Sequence, residues 1–413
     1  MTYSVEEVRW LAENADAVAE AEGLEWSAQS RVRDTTALRE RHGDHARALG
    51  ELVAARRSAV QGGKVPAGWL VCGDSAQQAT PAVVAAERAD HLADVLGAGG
   101  GDGSGAGLVV ADVTCSVGTE LQHLAGRFGT VVGSDLDPAR LAMARYNMAQ
   151  ADLAGTVGLV RADAVHPAFA AGAVDVVVAD PARRTARGRI RDPKDLLPPL
   201  PDLLSAHRGS AMAVKCAPGI DYGDWDGQVD VVSVDGGVKE ACLYTPELAT
   251  HRRRAVVLRA GQRRVLTTDD PESEEVGDVG RYILDPDGAV VRAGLVRQYA
   301  AALGWRRLDP HIAYLTGDSL EVPQGPGFLP GQRVFEVLDR APLKRLKAAL
   351  AATGCSRLEI LVRGVDVDPD DLRRKMKLKR GRGAGGGRAL TVVVTRIGDT
   401  ATALIAEELH LRG

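Results

Sequence analysis

The stretch that decides the fold is residues 108–135, LVVADVTCSVGTELQHLAGRFGTVVGSD. It contains an apolar run (108–113), a turn of small residues (114–118), a helical pattern and a second apolar run that ends at Asp135. This order predicts a buried strand, a helix and a parallel strand, the first half of a nucleotide-binding βαβ unit. In such a unit the small turn residues let the backbone approach a ligand, and the carboxylate can accept a hydrogen bond from a ribose.

The length and composition favour a multidomain globular protein. A chain of 413 residues predicts two or three domains, and an apolar content of 45% is sufficient for a large core and excludes overall disorder. The formal net charge is −4, so any affinity for nucleic acid must come from a local basic patch.

The cysteines and the first residues suggest an intracellular setting. Five cysteines lie far apart without zinc-site spacing, which predicts reduced thiols and no metal centre. The chain starts without a basic and apolar leader, and no run approaches 18 apolar residues. We therefore expect a soluble, cytoplasmic protein without a membrane segment; the sequence leaves its oligomeric state open.

Composition and periodicity predict four regions. Residues 1–62 form a helical region in which Ser4 and Glu7 make a capping box, with Thr80 and Pro81 starting a later helix. Residues 63–268 alternate near-continuous apolar strands with helices, which predicts a parallel sheet covered on both faces. Residues 276–338 are expected to form a small α+β connecting module and 339–413 a second α+β module. The helical region is interpreted as a cap on the sheet domain, with an independent binding module as the alternative.

Acidic or turn residues follow four successive strands of the sheet domain. They are the turn beginning at Asp112, then Asp135, Asp163 and Asp180. Ligands of open α/β sheets bind at the carboxyl ends of the strands, so these residues are expected to share one site. The first turn has a single glycine, Gly118, and is followed by no phosphate-loop lysine, which argues against a dinucleotide fingerprint and a P-loop.

Four motifs in register resemble class I S-adenosylmethionine-dependent methyltransferases across residues 108–245. They are DVTCSVGT (112–119), GSD (133–135), ADA (162–164) and DPARR (180–184). Ser116 stands where that family usually has glycine, and the fourth motif lacks the aromatic residue of amino-group methyltransferases. The resemblance implies that S-adenosyl-L-methionine is the cofactor and that its binding residues are Asp112, Thr114, Cys115, Ser116, Gly118, Asp135, Leu136, Asp163, Ala164 and Asp180.

Further segments resemble the bacterial methyltransferases that contain a THUMP-like domain. They are QQATP (77–81), the DPARR motif, KCAPG (215–219) and RGVDVDP (363–369). This resemblance covers nearly everything after residue 60. It implies a Rossmann-like, doubly wound and mostly parallel α/β sheet, preceded by the helical region and followed by a THUMP-like α+β module for RNA.

A basic segment in the last module supports an RNA partner. Residues 373–388 contain eight basic and no acidic side chains, and glycines at five positions make the segment adaptable to a phosphate backbone. The predicted RNA-binding residues are Arg373, Arg374, Lys375, Lys377, Lys379, Arg380 and Arg382. The alternative is a solvated basic face.

Asp180 is the predicted catalytic residue, orienting the acceptor or accepting a hydrogen bond from it, with a loop-capping role as the alternative. Arg183 is the second catalytic candidate, able to stack on a base or hold a phosphate, or to form a structural ion pair. Lys215 is placed near the active edge or in a structural role. Cys216 is interpreted as a small buried side chain, with a pyrimidine-attacking thiolate as the minor alternative.

The sequence thus predicts a methyltransferase that modifies a nucleotide of structured RNA, either tRNA or rRNA. One alternative is a methyltransferase of small molecules or proteins, and another is a non-catalytic RNA-binding protein with this fold. The sequence leaves the modified atom open.

Overall fold

The computed structural model describes residues 3–98, 107–182, 184–185, 188–322, 327–376 and 388–410. The chain divides into two compact units. The first comprises Met1–Val229 and Lys239–Thr250, and the second comprises Asp230–Val238 and His251–Gly413.

The first unit begins with six helices. They are α1 (Val5–Glu13), α2 (Ala15–Gly23), α3 (Arg31–His42), α4 (Ala46–Gln61), α5 (Gly73–Gln78) and α6 (Ala82–Val95). The capping box predicted at Ser4 and Glu7 is confirmed, with both reciprocal hydrogen bonds present. The apolar faces of these helices share one core with the strands that follow, so this helical region packs onto the sheet of its own unit.

The predicted N-cap of α6 is wrong. Pro81, not Thr80, is the residue that precedes the first helical turn. The Thr80 hydroxyl is buried and makes no hydrogen bond within the described residues. The threonine therefore does not act as the N-cap.

Strands and helices then alternate. The elements are β1 (Val109–Asp112), α7 (Thr119–Ala125), β2 (Thr130–Asp135), α8 (Pro138–Gln150), β3 (Val157–Arg161), β4 (Val176–Ala179), β5 (Arg184–Thr185), β6 (Gly188–Arg189), α9 (Leu200–Ala206), β7 (Ala211–Cys216), β8 (Gln228–Val234) and β9 (Gly237–Tyr244). Asp137 caps α8 by accepting hydrogen bonds from Ala139 N and Arg140 N, as Asp137-Pro138 predicts.

The predicted parallel sheet is confirmed. Neighbouring strands follow the order β9-β7-β4-β1-β2-β3, and all pairs are parallel except β7 with β9. Every residue of β4 is buried, because helices cover both faces of a parallel sheet. The parallel alignment brings the carboxyl ends of β1, β2, β3, β4 and β7 to the same edge.

The second unit contains most of the remaining elements. They are β10 (Arg253–Arg259), β11 (Gln262–Thr267), β12 (Tyr282–Asp285), α10 (Gly288–Ala293), α11 (Val296–Leu303), β13 (Arg306–Asp309), β14 (Ile312–Gly317), β15 (Arg333–Pro342), α12 (Leu346–Ala352), β16 (Cys355–Arg363), α13 (Pro369–Met376), β17 (Arg388–Ile397) and β18 (Thr400–Leu409). A seven-stranded sheet has the order β13-β14-β12-β15-β18-β17-β16, and its only parallel pair among the described strands is β16 with β17.

Two helix predictions needed correction. The sequence predicts one helix over residues 293–303, but the structure has α11 over Val296–Leu303 and a separate helix, α10, over Gly288–Ala293, because Gly294 adopts a left-handed conformation that ends α10. The helix expected over 192–206 is a short 3-10 turn followed by α9, because prolines at 198 and 199 interrupt the backbone hydrogen bonding.

Candidate active site

A cleft lies at the shared carboxyl edge of the strands in the first unit. The residues that line it are Ser75, Gln78, Ala79, Thr80, Asp112, Val113, Thr114, Cys115, Ser116, Val117, Thr119, Glu120, Asp135, Leu136, Arg140, Ala162, Asp163, Ala164, Asp180, Ala182, Leu197, Pro198 and Lys215. Acidic side chains outnumber basic ones in this lining.

The turn after β1 uses two left-handed residues. Gly118 has φ +92°, a conformation that favours glycine, and a Cβ at this position would come within 2.9 Å of Met148 Cε, so that side chain would have to shift. Ser116 has φ +48°, a conformation that the family's usual glycine adopts more easily. The Gly118 N–H bonds to the Cys115 carbonyl and closes the turn.

Asp135 is held by the backbone on both sides. Its Oδ2 accepts a hydrogen bond of 3.0 Å from Ser116 N, and its Oδ1 accepts one of 2.9 Å from Asp137 N. Each carboxylate oxygen can accept a second hydrogen bond. The turn and the end of β2 thus present an oriented acceptor to the cleft.

Asp180 is joined to Asp112 through Thr114. The Asp180 backbone N–H donates to Thr114 Oγ1 at 2.6 Å, and Thr114 Oγ1 lies 3.4 Å from Asp112 Oδ1. The backbone N–H of Thr114 also donates to Asp112 Oδ1 at 3.0 Å. These bonds fix the ends of β1 and β4 relative to each other.

A buried charge network lies behind Asp180. Lys215 Nζ is 2.9 Å from Asp180 Oδ2 and 3.2 Å from Glu120 Oε2, while its side chain is 5% exposed. Arg88 Nε lies 2.8 Å from Glu120 Oε1, and Arg88 also pairs with Glu240. Arg88, Glu120 and Glu240 are almost fully buried. Removing one partner of such a group leaves an uncompensated buried charge, which typically costs about 3–5 kcal/mol.

The network sets the ionisation of its members. Burial alone would raise the pKa of Glu120, but Arg88 and Lys215 lower it to about 2. Burial would lower the pKa of Lys215, but Asp180 and Glu120 raise it above its ordinary value. Lys215 therefore stays an ammonium beside Asp180, and Glu120 stays a carboxylate, across the neutral range.

Asp112 behaves differently. Burial, followed by the negative charge of Glu120, raises the pKa of Asp112 to about 7, although Lys215 opposes this shift. Its carboxyl group therefore changes charge near neutral pH, at the edge of the cleft.

The third strand contributes Asp163 and Ala164. Asp163 Oδ1 accepts a hydrogen bond of 3.0 Å from Val165 N, and His166 Nδ1 lies 3.4 Å from Asp163 Oδ2. The Ala164 carbonyl lies 2.7 Å from His207 Nε2. These contacts hold the loop after β3 against the cleft.

The structure brings nine of the ten predicted cofactor residues to the cleft lining. The exception is Gly118, which does not appear in that lining and instead precedes α7 in its left-handed conformation. Arg183 lies outside the described residues. Whether the nine bind the cofactor stays a prediction.

The sequence reasoning did not select Glu120, Arg140, Arg88 or Glu240. Glu120 had a usable signal, because it occupies the first turn of the helix that follows the glycine turn. Arg88 and Glu240 lie 152 positions apart in sequence and carry no local motif that links them. Lys215 does lie at the active edge, and its two ion pairs satisfy the ammonium.

Two predicted cysteine environments agree with the structure. Cys216 is fully buried, and its Sγ lies 3.7 Å from the Val214 carbonyl oxygen, in keeping with a small apolar side chain. Cys115 lines the cleft, and burial raises the pKa of its thiol above the ordinary value.

The described part of the basic segment is partly neutralised. Arg373 Nη1 lies 2.6 Å from Asp370 Oδ1, and Arg374 pairs with Asp371, each pair one turn apart on α13. Lys375 is exposed. Lys377, Lys379, Arg380 and Arg382 lie outside the described residues.

Across the described ranges, no group of three or more histidine, cysteine, aspartate or glutamate side chains is arranged to hold a metal ion. No helix among those residues has the length and apolarity needed to cross a membrane.

Comparison with known proteins places the chain in a family. A family model described as "Methyltransferase domain" matches residues 110–186, and one described as "THUMP domain-like" matches residues 332–408. A crystal structure of a proposed methyltransferase from Porphyromonas gingivalis W83 aligns over 99% of this chain and 100% of its own, with a TM-score of 0.65 and 18% identity, and shows the same fold.

Close relatives come from two strains of Mycobacterium tuberculosis, CDC 1551 / Oshkosh and ATCC 25618 / H37Rv. Both are described as uncharacterized S-adenosylmethionine-dependent methyltransferases. Each is 44% identical over 378 residues, which cover 87% of this chain and 96% of the relative. The chain therefore belongs to the S-adenosylmethionine-dependent methyltransferases and carries the family's Rossmann-like catalytic fold together with a THUMP-like domain.

Proposed function

We propose that this S-adenosylmethionine-dependent methyltransferase modifies a nucleotide in a structured RNA, either tRNA or rRNA. The observation that carries the proposal is the presence in one chain of a methyltransferase domain at 110–186 and a THUMP-like domain at 332–408. By analogy with THUMP modules, the second domain implies RNA as the partner.

The basic segment at 373–388 supports the same partner. Arg373 and Arg374 pair with acidic residues of α13 and Arg388 pairs with Glu407, and the segment has five further basic residues, among them Lys375, which is exposed. Such a segment supplies salt-dependent affinity for phosphates and positions an RNA without reading its sequence.

The cleft fits the cofactor by its chemistry. Asp135 offers carboxylate oxygens to the ribose hydroxyls, and Asp163 offers one to the adenine amino group. The lining has five carboxyl groups and two basic side chains, and this excess of negative charge suits a positively charged methyl donor. When bound, S-adenosylmethionine supplies an activated methyl group on its sulfonium.

The chain's own contribution is alignment. Transfer from an activated donor is an in-line displacement, so the protein chiefly needs to hold the acceptor at the correct distance and angle. In this proposal Asp180 orients the acceptor, because its backbone is fixed by Thr114 and its carboxylate by Lys215. Arg183 is proposed to stack on the target base or to hold a neighbouring phosphate.

The predicted region boundaries and the cytoplasmic setting are part of the proposal. The region boundaries are those given above, 1–62, 63–268, 276–338 and 339–413. Four of the five cysteines are buried and none forms a disulfide in the described part of the chain, which suits a reducing compartment.

Nucleoside mass spectrometry tests the proposed function. Total tRNA and rRNA from cells with and without the protein are digested, and the methylated nucleosides are compared. We expect one methylated nucleoside to be lost without the protein, to return with the wild-type gene, and to stay absent with Asp180→Asn. Identical nucleoside profiles in all strains would contradict an RNA substrate and would favour a small-molecule or protein acceptor.

A further inference from the structure

A second cavity lies in the helical region, between α3 and α4 and away from the cleft residues. Its volume is about 510 Å³, within the range of about 300–1,000 Å³ that is typical of ligand sites. It is lined by Trp26, Arg31, Thr35, Arg39, Ala46, Arg47, Gly50, Glu51, Val53, Ala54 and Arg57. The lining therefore contains four arginines and one acidic residue. We call this cavity the arginine groove.

The groove is basic within an acidic chain. Residues 31–61 contain seven arginines and four acidic residues, whereas the whole chain has a net charge of −4. Arg47 pairs with Glu7 and Glu51, and Arg57 donates to the carbonyls of residues 22, 24 and 25. Arg31 and Arg39 are exposed, and no ion pair to either is found in the described part of the chain.

The two exposed arginines lie on one face of α3. Arg31, Thr35 and Arg39 are spaced by four residues, so their side chains point the same way along the helix. At 1.5 Å per residue, Arg31 and Arg39 are about 12 Å apart along the axis, a span that suits a chain of phosphates better than a single anion. Of the twelve residues of α3, only Asp34 and Leu38 are buried, so core packing does not explain its sequence.

Trp26 forms a fixed aromatic wall of the groove. Its backbone has φ +54°, which is rare for a bulky residue, and is held by a 2.9 Å hydrogen bond from its N–H to Asp34 Oδ2. Its indole Nε1 donates to the Ala21 carbonyl at 2.7 Å. A Cβ at position 50 would lie 3.0 Å from Trp26 Cη2, so Gly50 makes room for the ring.

We propose that the arginine groove binds the sugar-phosphate backbone of the RNA substrate. Arg31 and Arg39 contact two phosphates of one strand, and the Trp26 ring packs against a base or ribose between them, the combination used in single-strand binding grooves. This inference rests on the proposed RNA function and adds a second RNA contact, independent of the THUMP-like domain.

The test measures binding of the full-length protein to fluorescein-labelled, unfractionated bacterial tRNA by fluorescence anisotropy across a salt series. The variant Arg31→Gln/Arg39→Gln removes two exposed charges without disturbing a described hydrogen bond. The matched control is Arg145→Gln/Arg208→Gln, because both of these arginines are exposed in the same unit, on α8 and just after α9. S-adenosylmethionine affinity and thermal unfolding report whether each variant stays folded.

We expect the groove variant to weaken tRNA binding about five- to tenfold. The plot of the logarithm of the association constant against the logarithm of the salt concentration should become less steep, by roughly 1.4–1.8 in slope, while the control matches wild type. If the groove variant binds tRNA as strongly as the wild-type protein does, this inference is overturned and the proposed function stays intact. Absence of salt-dependent tRNA binding by the wild-type protein would instead remove the RNA proposal, and this inference with it.

Discussion

Asp180 and Lys215 form the ion pair that distinguishes this cleft at the residue scale. Lys215 approaches Asp180 to 2.9 Å and Glu120 to 3.2 Å while almost fully buried. Because Glu120 is also bound by Arg88, the lysine has a fixed position and a fixed charge. In the proposed role, Lys215 is a positioning residue that acts through Asp180.

Replacing Lys215 tests that role. We expect Lys215→Met to lower the single-turnover rate of methyl transfer by about 100-fold or more, the usual scale for loss of a positioned catalytic group. Lys215→Arg should recover part of the rate because the positive charge returns. Cofactor affinity should change less than about threefold, and the exposed Lys239→Met serves as control. A Lys215→Met protein that is folded and fully active would show that the ion pair is only structural.

Asp112 predicts a pH dependence of cofactor binding. Its carboxyl group is neutral below a pKa of about 7 and negative above it, so attraction for a cationic ligand grows as pH rises through 7. We expect calorimetry to show S-adenosylmethionine affinity rising several-fold between pH 6 and pH 8, relative to the neutral thioether S-adenosylhomocysteine. In Asp112→Asn the ratio of the two affinities should be independent of pH. If the affinity ratio of that variant changes equally strongly with pH, the titrating group is not Asp112.

The contribution of Asp112 to folding stability depends on pH in the opposite direction. A carboxyl group whose pKa is raised on folding favours the folded protein when it is protonated. The contribution of Asp112 is therefore present at low pH and is lost between its unfolded pKa of 3.8 and about pH 7. Glu120, with a pKa lowered to about 2, stabilises the fold above pH 4.5 and loses that contribution as pH falls toward 2.

At the element scale, the ends of the strands determine which side chains reach the cleft. Asp135 ends β2, pairs in register with Arg161 of β3, and receives hydrogen bonds from the turn after β1 and from Asp137. A shift of one residue in this strand would turn the carboxylate to the other face of the sheet.

Asp135→Ala therefore tests the register. We expect a loss of S-adenosylmethionine affinity of about ten- to one-hundredfold, since a charged acceptor for the ribose typically contributes about 1.5–3 kcal/mol. Asp94→Ala is the control, because Asp94 is exposed on α6 and is absent from the cleft lining of the described residues. Unchanged affinity in a folded Asp135→Ala protein would mean that the ribose is held elsewhere.

Much of this edge was predictable from local pattern. Short stretches of sequence indicate the apolar strands, the turn at Ser116 and Gly118, and the carboxylates at the strand ends. The Arg88–Glu120–Lys215 network was not predictable, because three separate elements converge only after folding. Helix α10 was missed for a different reason, since its six residues are too few to show a clear helical periodicity.

At the scale of the whole molecule, methyl transfer is proposed to take place in the cleft, while RNA is bound by the arginine groove and by the THUMP-like domain. The cleft lies in the first unit, and the THUMP-like match lies in the second. Each part can therefore be impaired separately.

Neutralising the basic segment should affect RNA alone. We expect Lys377→Gln/Lys379→Gln/Arg380→Gln/Arg382→Gln to weaken tRNA binding at least tenfold and to reduce its salt dependence, because up to four phosphate contacts are lost. S-adenosylmethionine affinity should equal that of wild type, which serves as the internal control. RNA affinity that is unchanged in filter binding would assign this segment to a solvated face.

The most direct test of the central claim is transfer of a labelled methyl group. Purified protein is incubated with S-[methyl-³H]adenosylmethionine and total RNA from cells that lack the protein, alongside the Asp180→Asn variant. We expect label in tRNA or rRNA with the wild-type protein and a loss of at least 100-fold with the variant, at similar cofactor affinity. Label confined to protein or small molecules, or equal RNA labelling by Asp180→Asn, would contradict it.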